Sequence, residues 1–400
     1  MGHPGGRIVG KILFGWEFGA SLGHVYPLLR IANRLRDNGH EIVFVCRDVV
    51  LASDLVRAEG YKLIQAPFWK NPPIPNLRDI PTPSYADVLV RQGFAYRKNL
   101  VSMMSVWTDL VALLKPDLVV ADHSPGLSLA LRGLVPVFNV GNGFTLPPSG
   151  VEEYPVVNRG GKPLMAQERL LAIFNEVNRE RGAPLLDRLP QVFDTEGQFV
   201  CTVPQLDPYH GVPGRVQVGP LEDSMTPAPL PENPHIFVYM AHDIAGREVV
   251  LETVAKNGLP ATAYIRGASA RDRARYASHS LTMLDKPVDF RSMLPKSSLV
   301  IHSGGGGTAT ACLMTGRPQI MLPTQAEANL NARLLRSRGL AEVAPPTVTP
   351  SHFKAILARA AGNREMAERC LQNAEILAGE DWGNALGRIV TAAEAILSPA

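Results

Sequence analysis

The sequence predicts an α/β protein made of two doubly wound parallel-sheet halves, and three observations carry the prediction. From Lys11 to Gln65, short apolar runs alternate with amphipathic helical stretches, the pattern of parallel strands joined by crossover helices. Further on, Leu299-Val300-Ile301, a run of four glycines, a helical stretch from Thr308 and a second apolar run from Gln319 form one strand–loop–helix–strand unit. Between the two patterns, residues 211–234 are rich in Pro and Gly and read as a linker. At 400 residues the chain is too long for one small core, so two domains are expected, 1–210 and 235–380, with residues 381–400 as a final helix.

In the first half, Lys11-Ile12-Leu13-Phe14 begins a strand and the loop from Trp16 to Gly23 leads to His24. Leu28, Leu29, Ile31, Ala32 and Leu35 have helical spacing, stopped at Gly39. A strand from Glu41, a helix from Val49 to Glu59 and a strand from Tyr61 follow. Phe68 to Tyr85 is irregular and proline-rich, and loops of this length are commonly functional. Phe68, Trp69 and Tyr85 are candidates for the lining of a lipophilic pocket, or for a stiffened surface loop. Asp87 to Leu114 reads as mainly helical. Strands follow at Pro116–Asp122 and Val135–Val140, with Gly141 to Phe144 as the loop after the second.

In the second half, strands are expected from His235, Ala261, Leu281, Leu299 and Gln319, and helical stretches at Val249–Asn257, Asn329–Ser337 and Thr349–Ala378. Gly304, Gly305, Gly306 and Gly307 lead into the helix of Thr308. Backbone without Cβ atoms lets an anion approach closely, and the amides of a helix amino end point at it. His302 and Thr308 flank this loop as candidate side-chain donors to a phosphate; the alternative is a tight turn that lets helix and strand pack.

Net charge of +3 is too small to imply nucleic-acid binding, and no apolar run approaches the roughly 20 residues of a membrane span. Met1 to Arg7 is glycine-rich rather than a signal peptide. Cys46, Cys201, Cys312 and Cys370 are scattered without a CxxC pair, as expected for reduced thiols in a cytoplasmic protein and not for a zinc or disulfide framework.

The segment His302 to Thr308, followed by Gly316-Arg317-Pro318, Pro323, Glu327 and Asn331-Ala332, resembles the donor-sugar signature of the GT-B nucleotide-sugar glycosyltransferases. It is similar in particular to the UDP-glycosyltransferase-like family 1 group, in its bacterial natural-product branch. Gly23-His24-Val25-Tyr26-Pro27 and Gly39-His40 match the same family's first domain. The resemblance implies a GT-B fold, two Rossmann-like domains facing a cleft, with the final helix packing back on the first domain. It implies an inverting hexosyltransferase that uses a UDP- or dTDP-linked sugar as co-substrate, with no other cofactor and no metal. The acceptor would be a small lipophilic hydroxylated molecule, and a homodimer is compatible with this.

In such enzymes the first His is the base, so His24 is the candidate. Asp122 would orient it, or would cap the helix near Ser124. His302, Gly304 to Gly307, Thr308 and Glu327 would hold the donor, Phe290 would frame its base, and Phe68, Trp69, Tyr85 and Phe144 would line the acceptor side. His40 reads as a surface residue at a helix end. Three positions depart from the family pattern. Ala241, Ala311 and Ala328 stand where relatives place donor-contacting polar residues, which favours a deoxysugar donor over glucose. The same departures leave open a non-catalytic sugar-nucleotide-binding auxiliary protein, or a nucleotide-sugar epimerase.

Overall fold

The computed structural model describes residues 10–19, 22–70, 82–158, 160–222, 225–380, 382 and 384–398. Most of the expected proline-rich loop, residues 71–81, lies outside them.

Two compact units divide the chain. In the first, β1 (Lys11–Trp16), β2 (Glu41–Cys46), β3 (Lys62–Gln65), β4 (Leu118–Asp122), β5 (Val137–Gly141) and β6 (Gly197–Val200) form one sheet in the order β3-β2-β1-β4-β5-β6. Every pairing is parallel. The central strands β1 and β4 are apolar without alternation because helices cover both faces. On one face, helix Val25–Asp37 and helix Ala385–Leu397 pack Leu28, Ile31, Ile389 and Ala393 against Ile12, Phe14 and Val120. On the other, helices Tyr85–Arg91, Arg97–Leu114, Pro125–Leu131 and Gln167–Glu180 pack against Leu13, Val119 and Ala121.

The second unit repeats the winding. Its strands are β7 (Ile236–Ala241), β8 (Ala261–Arg266), β9 (Leu281–Leu284), β10 (Leu299–His302), β11 (Gln319–Met321) and β12 (Ala341–Val343), in the order β12-β11-β10-β7-β8-β9. All are parallel. Counted from its own first strand, this is the same doubly wound order as in the first unit.

The division differs from a single linker at 211–234. Tyr209–Leu221 and the segment from Asn384 onward belong to the first unit, while Val203–Pro208 and Glu222 onward belong to the second. Gln217 bridges to Val200 at the sheet edge, and Val218 and Leu221 are buried, so half of the expected linker is folded structure. His40 is likewise not a surface residue. It is 4% exposed, and its Nε2 lies 3.2 Å from the Glu394 carboxylate on the final helix, which covers it. Two expected continuous helices are each broken. Gly93, at φ 94°, separates Tyr85–Arg91 from Arg97–Leu114. Gly362 ends one helix and Asn363 caps the next, its side chain accepting from the Met366 amide.

Arg317 is fully buried in the second unit. Its guanidinium donates to the carbonyls of Ser297 at 3.0 Å, Pro229 at 2.9 Å and Ala228 and Thr315, tying the entry segment of the unit to the turn after its glycine-loop helix. Replacing it by Met removes the guanidinium donor from the carbonyls of Ser297, Ala228 and Pro229, while that of Thr315 keeps the Ala228 amide. Arg317→Met is expected to destabilise the unit by about 2–4 kcal/mol, read as a lowered urea midpoint; an unchanged midpoint would contradict this account.

Candidate functional site

In doubly wound sheets, ligands bind beyond the carboxyl ends of the strands where the order reverses. Here the reversals fall between β1 and β4 and between β7 and β10.

In the first unit the pairing of Trp16 with Asp122 places the ends of β1 and β4 side by side. The segment after β1 returns His24 over this edge, where its Nδ1 lies 3.0 Å from Asp122 Oδ2. Both residues are buried, at 7% and 4% exposure. A carboxylate on Nδ1 fixes the ring with its proton there and leaves Nε2 as the basic nitrogen. The ring is also stacked on Trp16, with centroids 5.4 Å apart, and on His123 at 5.7 Å. The structure therefore brings together the two residues expected to form the base, and Asp122 is directed at His24.

The amino end of helix Pro125–Leu131 is met by another carboxylate, Glu17, which sequence reading missed. Its Oε2 accepts from the Gly126 amide at 2.7 Å, and its Oε1 accepts from the indoles of Trp69 at 2.6 Å and Trp107 at 2.8 Å. Burial pushes its pKa up to about 7, partly offset by these donors. Gly126 must be glycine for this contact, since a Cβ would lie 2.5 Å from Glu17 Oε1. The one signal in the sequence was an acidic residue directly after a buried strand.

The expected acceptor-side residues separate. Trp69 is committed to Glu17, and Tyr85 is 1% exposed within the core. Phe68 is 68% exposed and points away from that core, whereas Phe144 is partly buried and edge-on to His123 at 6.1 Å.

In the second unit, Gly305 precedes helix Gly306–Thr315, so Gly306 and Gly307 form its first turn rather than a loop. Ala309 is the first residue to close a helical turn, to the Gly305 carbonyl at 3.1 Å, and the amides before it emerge from the helix's amino end. Gly304 has φ 85°, and a Cβ there would lie 3.2 Å from Ala328 Cβ. Asn331 donates to the Gly304 carbonyl at 3.1 Å. The motif's Asn and the small residue at 328 thus shape the glycine loop. A Glu222 oxygen lies 3.2 Å from the Cβ position of Gly307.

His302 differs from expectation. Its Nδ1 accepts from the Gly304 amide at 3.1 Å and its Nε2 donates to Gln319 Oε1 at 2.8 Å. With both nitrogens engaged inside the protein and 1% exposure, it braces the loop rather than offering a side-chain donor to a diphosphate. Burial pushes its pKa down to about 4. Thr308 is half-buried at the helix start and Glu327 is half-buried in helix Ala326–Ser337. Phe290 stands edge-on to Tyr239, with centroids 4.9 Å apart. Ala311 is buried against Phe237, Leu294, Val300 and Cys312.

Two six-stranded parallel sheets, each wound with helices, are the architecture of solved GT-B glycosyltransferases. The calicheamicin glycosyltransferase superposes with a TM-score of 0.71 at 18% identity, covering 97% of this chain and 98% of that one. The glycosyltransferase VinC, solved in complex with dTDP, gives 0.65 at 17% identity, covering 96% and 100%. These likenesses define the class: a two-unit α/β protein of GT-B fold. Residues 282–381 match the family described as erythromycin biosynthesis protein CIII-like, C-terminal domain. An elloramycin glycosyltransferase of Streptomyces olivaceus is 38% identical over 84 residues, 21% of this chain and 22% of that protein. The 10-deoxymethynolide desosaminyltransferase of Streptomyces venezuelae is 28% identical over 193 residues, 44% and 45% of the two chains. The match thus spans less than half the length of these curated relatives. Over these parts the chain is similar to bacterial natural-product glycosyltransferases, and over nearly its whole length it shares their fold.

Two measurements check this geometry. A Cβ on Gly19, which has φ 97°, would lie 2.0 Å from His24 Nε2. Gly19→Ala is therefore expected to displace the His24 ring, moving its imidazole nitrogen resonances while those of His302 stay in place. The second concerns acid stability. The unfolded chain protonates His302 near the ordinary value of 6.5, whereas the folded chain resists protonation down to about 4. The contribution of His302 is thus fully present above 6.5 and is lost as pH falls towards 4, by about 3 kcal/mol. His302→Asn should flatten the stability profile across that window in urea melts; an unchanged slope would contradict the burial of a neutral ring.

Proposed function

We propose that the protein is an inverting glycosyltransferase that needs no metal. It moves a sugar from a UDP- or dTDP-linked donor to a hydroxyl of a small lipophilic acceptor, with no further cofactor. The observation that carries this reading is the buried His24–Asp122 pair at the switch point of the first sheet.

His24 Nε2 takes the proton of the acceptor hydroxyl, and Asp122 stabilises the imidazolium that forms. The acceptor oxygen forms a bond to the anomeric carbon as the bond from that carbon to the diphosphate oxygen breaks, and the electron pair leaves with the diphosphate. Attack opposite the leaving group inverts the anomeric configuration. The amides of Gly306, Gly307 and Thr308 at the helix amino end offset the charge developing on the diphosphate, a task that fixed dipoles perform without a cation.

Ala311 and Ala328 leave fewer polar groups for sugar hydroxyls, which supports a deoxysugar donor. That one of the similar proteins is a desosaminyltransferase agrees with that choice. An auxiliary, non-catalytic role has no use for a buried, oriented base, and an epimerase has no use for one that serves an acceptor.

His24→Ala is expected to lower transfer by about 10²–10⁴-fold while leaving donor affinity within about twofold. Product formation and calorimetry with a panel of UDP- and dTDP-sugars measure both. Undiminished turnover would remove His24 from the mechanism.

A further inference from the structure

Beside His24 lies a group of buried polar atoms that no described part of the protein satisfies. Both ring nitrogens of His123 and the hydroxyls of Tyr85 and Tyr154 are shielded from solvent and make no well-formed hydrogen bond among the described residues, the Phe18 backbone being a weak partner of the His123 ring. The three side chains are 7%, 1% and 1% exposed. They are contiguous: ring centroids lie 6.2 Å apart for His123 and Tyr85 and 5.4 Å apart for Tyr85 and Tyr154. Each buried polar atom left unsatisfied costs about 1–3 kcal/mol. Four of them in one connected cluster form a feature that folding alone would select against.

The backbone adds to the cost. His123 has φ 46°, a left-handed conformation that side-chain-bearing residues rarely adopt. The other such residue among those described, Lys115, merely ends a helix. The strain at His123 brings its ring against His24, in the loop directly after Asp122. Aromatic rings surround it, with Phe18 at 5.8 Å and Phe144 at 6.1 Å, and Phe193 packs 5.4 Å from Tyr85. Burial first, and then the neighbouring charges of His24 and Arg47, press the pKa of the His123 imidazole well below the usual value, offset only in part by the Phe18 backbone, and keep the ring neutral. A neutral ring carries one donor and one acceptor, and it does not compete with His24 for the acceptor's proton.

We propose that His123, backed by Tyr85 and Tyr154, holds a second oxygen of the acceptor beside the hydroxyl presented to His24. The acceptor is then an aromatic ring system with two neighbouring oxygens, such as a catechol-like edge or a hydroxyl next to a carbonyl. This assignment rests on the reading of His24 as the acceptor base. The aromatic walls fit the ring faces, and the polar atoms fit the paired oxygens.

Binding of 2-naphthol and 2,3-dihydroxynaphthalene to the full chain, without donor, tests it by tryptophan fluorescence and calorimetry. The diol is expected to bind about tenfold more tightly, the worth of one hydrogen bond. His123→Phe should abolish that preference and leave 2-naphthol within about twofold. His123→Asn, which tolerates the left-handed backbone and keeps a donor and an acceptor, should retain part of it. Thermal melting of each variant verifies the fold. Equal affinities in the wild type, as buried water at these atoms would produce, overturn the proposal. So does a preference that survives His123→Phe, or the binding of neither ligand. Transfer assays on the same two ligands with the donor panel test the base separately: a diol preference without any transfer would count against the transferase reading and not against the contact at His123.

Discussion

The buried carboxylate of Glu17 is the contact on which the architecture of the first unit's site depends. A carboxylate removed from water without a cation in contact is tolerated only when donors converge on it. Here they come from Trp69 after β3, Trp107 on helix Arg97–Leu114, and Gly126 on the helix after β4. One side chain thus holds three separate segments to the loop that carries Gly19 and leads to His24. The switch point is where two strands part and their connections diverge, so the sheet itself leaves a gap there. Glu17 closes that gap from within, and the His24–Asp122 pair sits at its rim.

The second unit repeats the winding and uses its switch point differently. Where the first unit places an oriented imidazole, the second places a helix amino end, and its own histidine is turned inward. His302 gives Nδ1 to the Gly304 amide and Nε2 to Gln319, which fixes the glycine at positive φ and aims the first turn of helix Gly306–Thr315. The Asn331 contact to Gly304 braces the same loop from the next helix. A motif histidine, a motif glycine and a motif asparagine are therefore one mechanical device. Its product is a set of backbone amides in a fixed direction, which suits an anion whose charge grows during a reaction.

The small residues at Ala311 and Ala328 follow from the same packing. Ala328 lies against Gly304 and Ala311 against Phe237, Val300 and Leu294, so a larger polar side chain at either place would have to displace core or loop.

By itself, the sequence determined the fold class, the alternation of strands and helices, and the positions of the glycine loop and of His24 and Asp122. Those features are local: periodicity, glycine runs and residue spacing are written within a few turns of chain. It could not say that two expected helices break at Gly93 and Asn363, where a single residue decides between one helix and two. Nor could it place His40 under the final helix, 354 residues away at Glu394. The tertiary structure alone decided that His302 is spent on the loop, that Trp69 is held by Glu17, and that the buried Tyr85, Tyr154 and His123 form one cluster beside His24. The physical reason is that burial and hydrogen-bond pairing depend on which segments the parallel crossovers bring to one strand edge, and residues far apart in the chain carry no mark of meeting there.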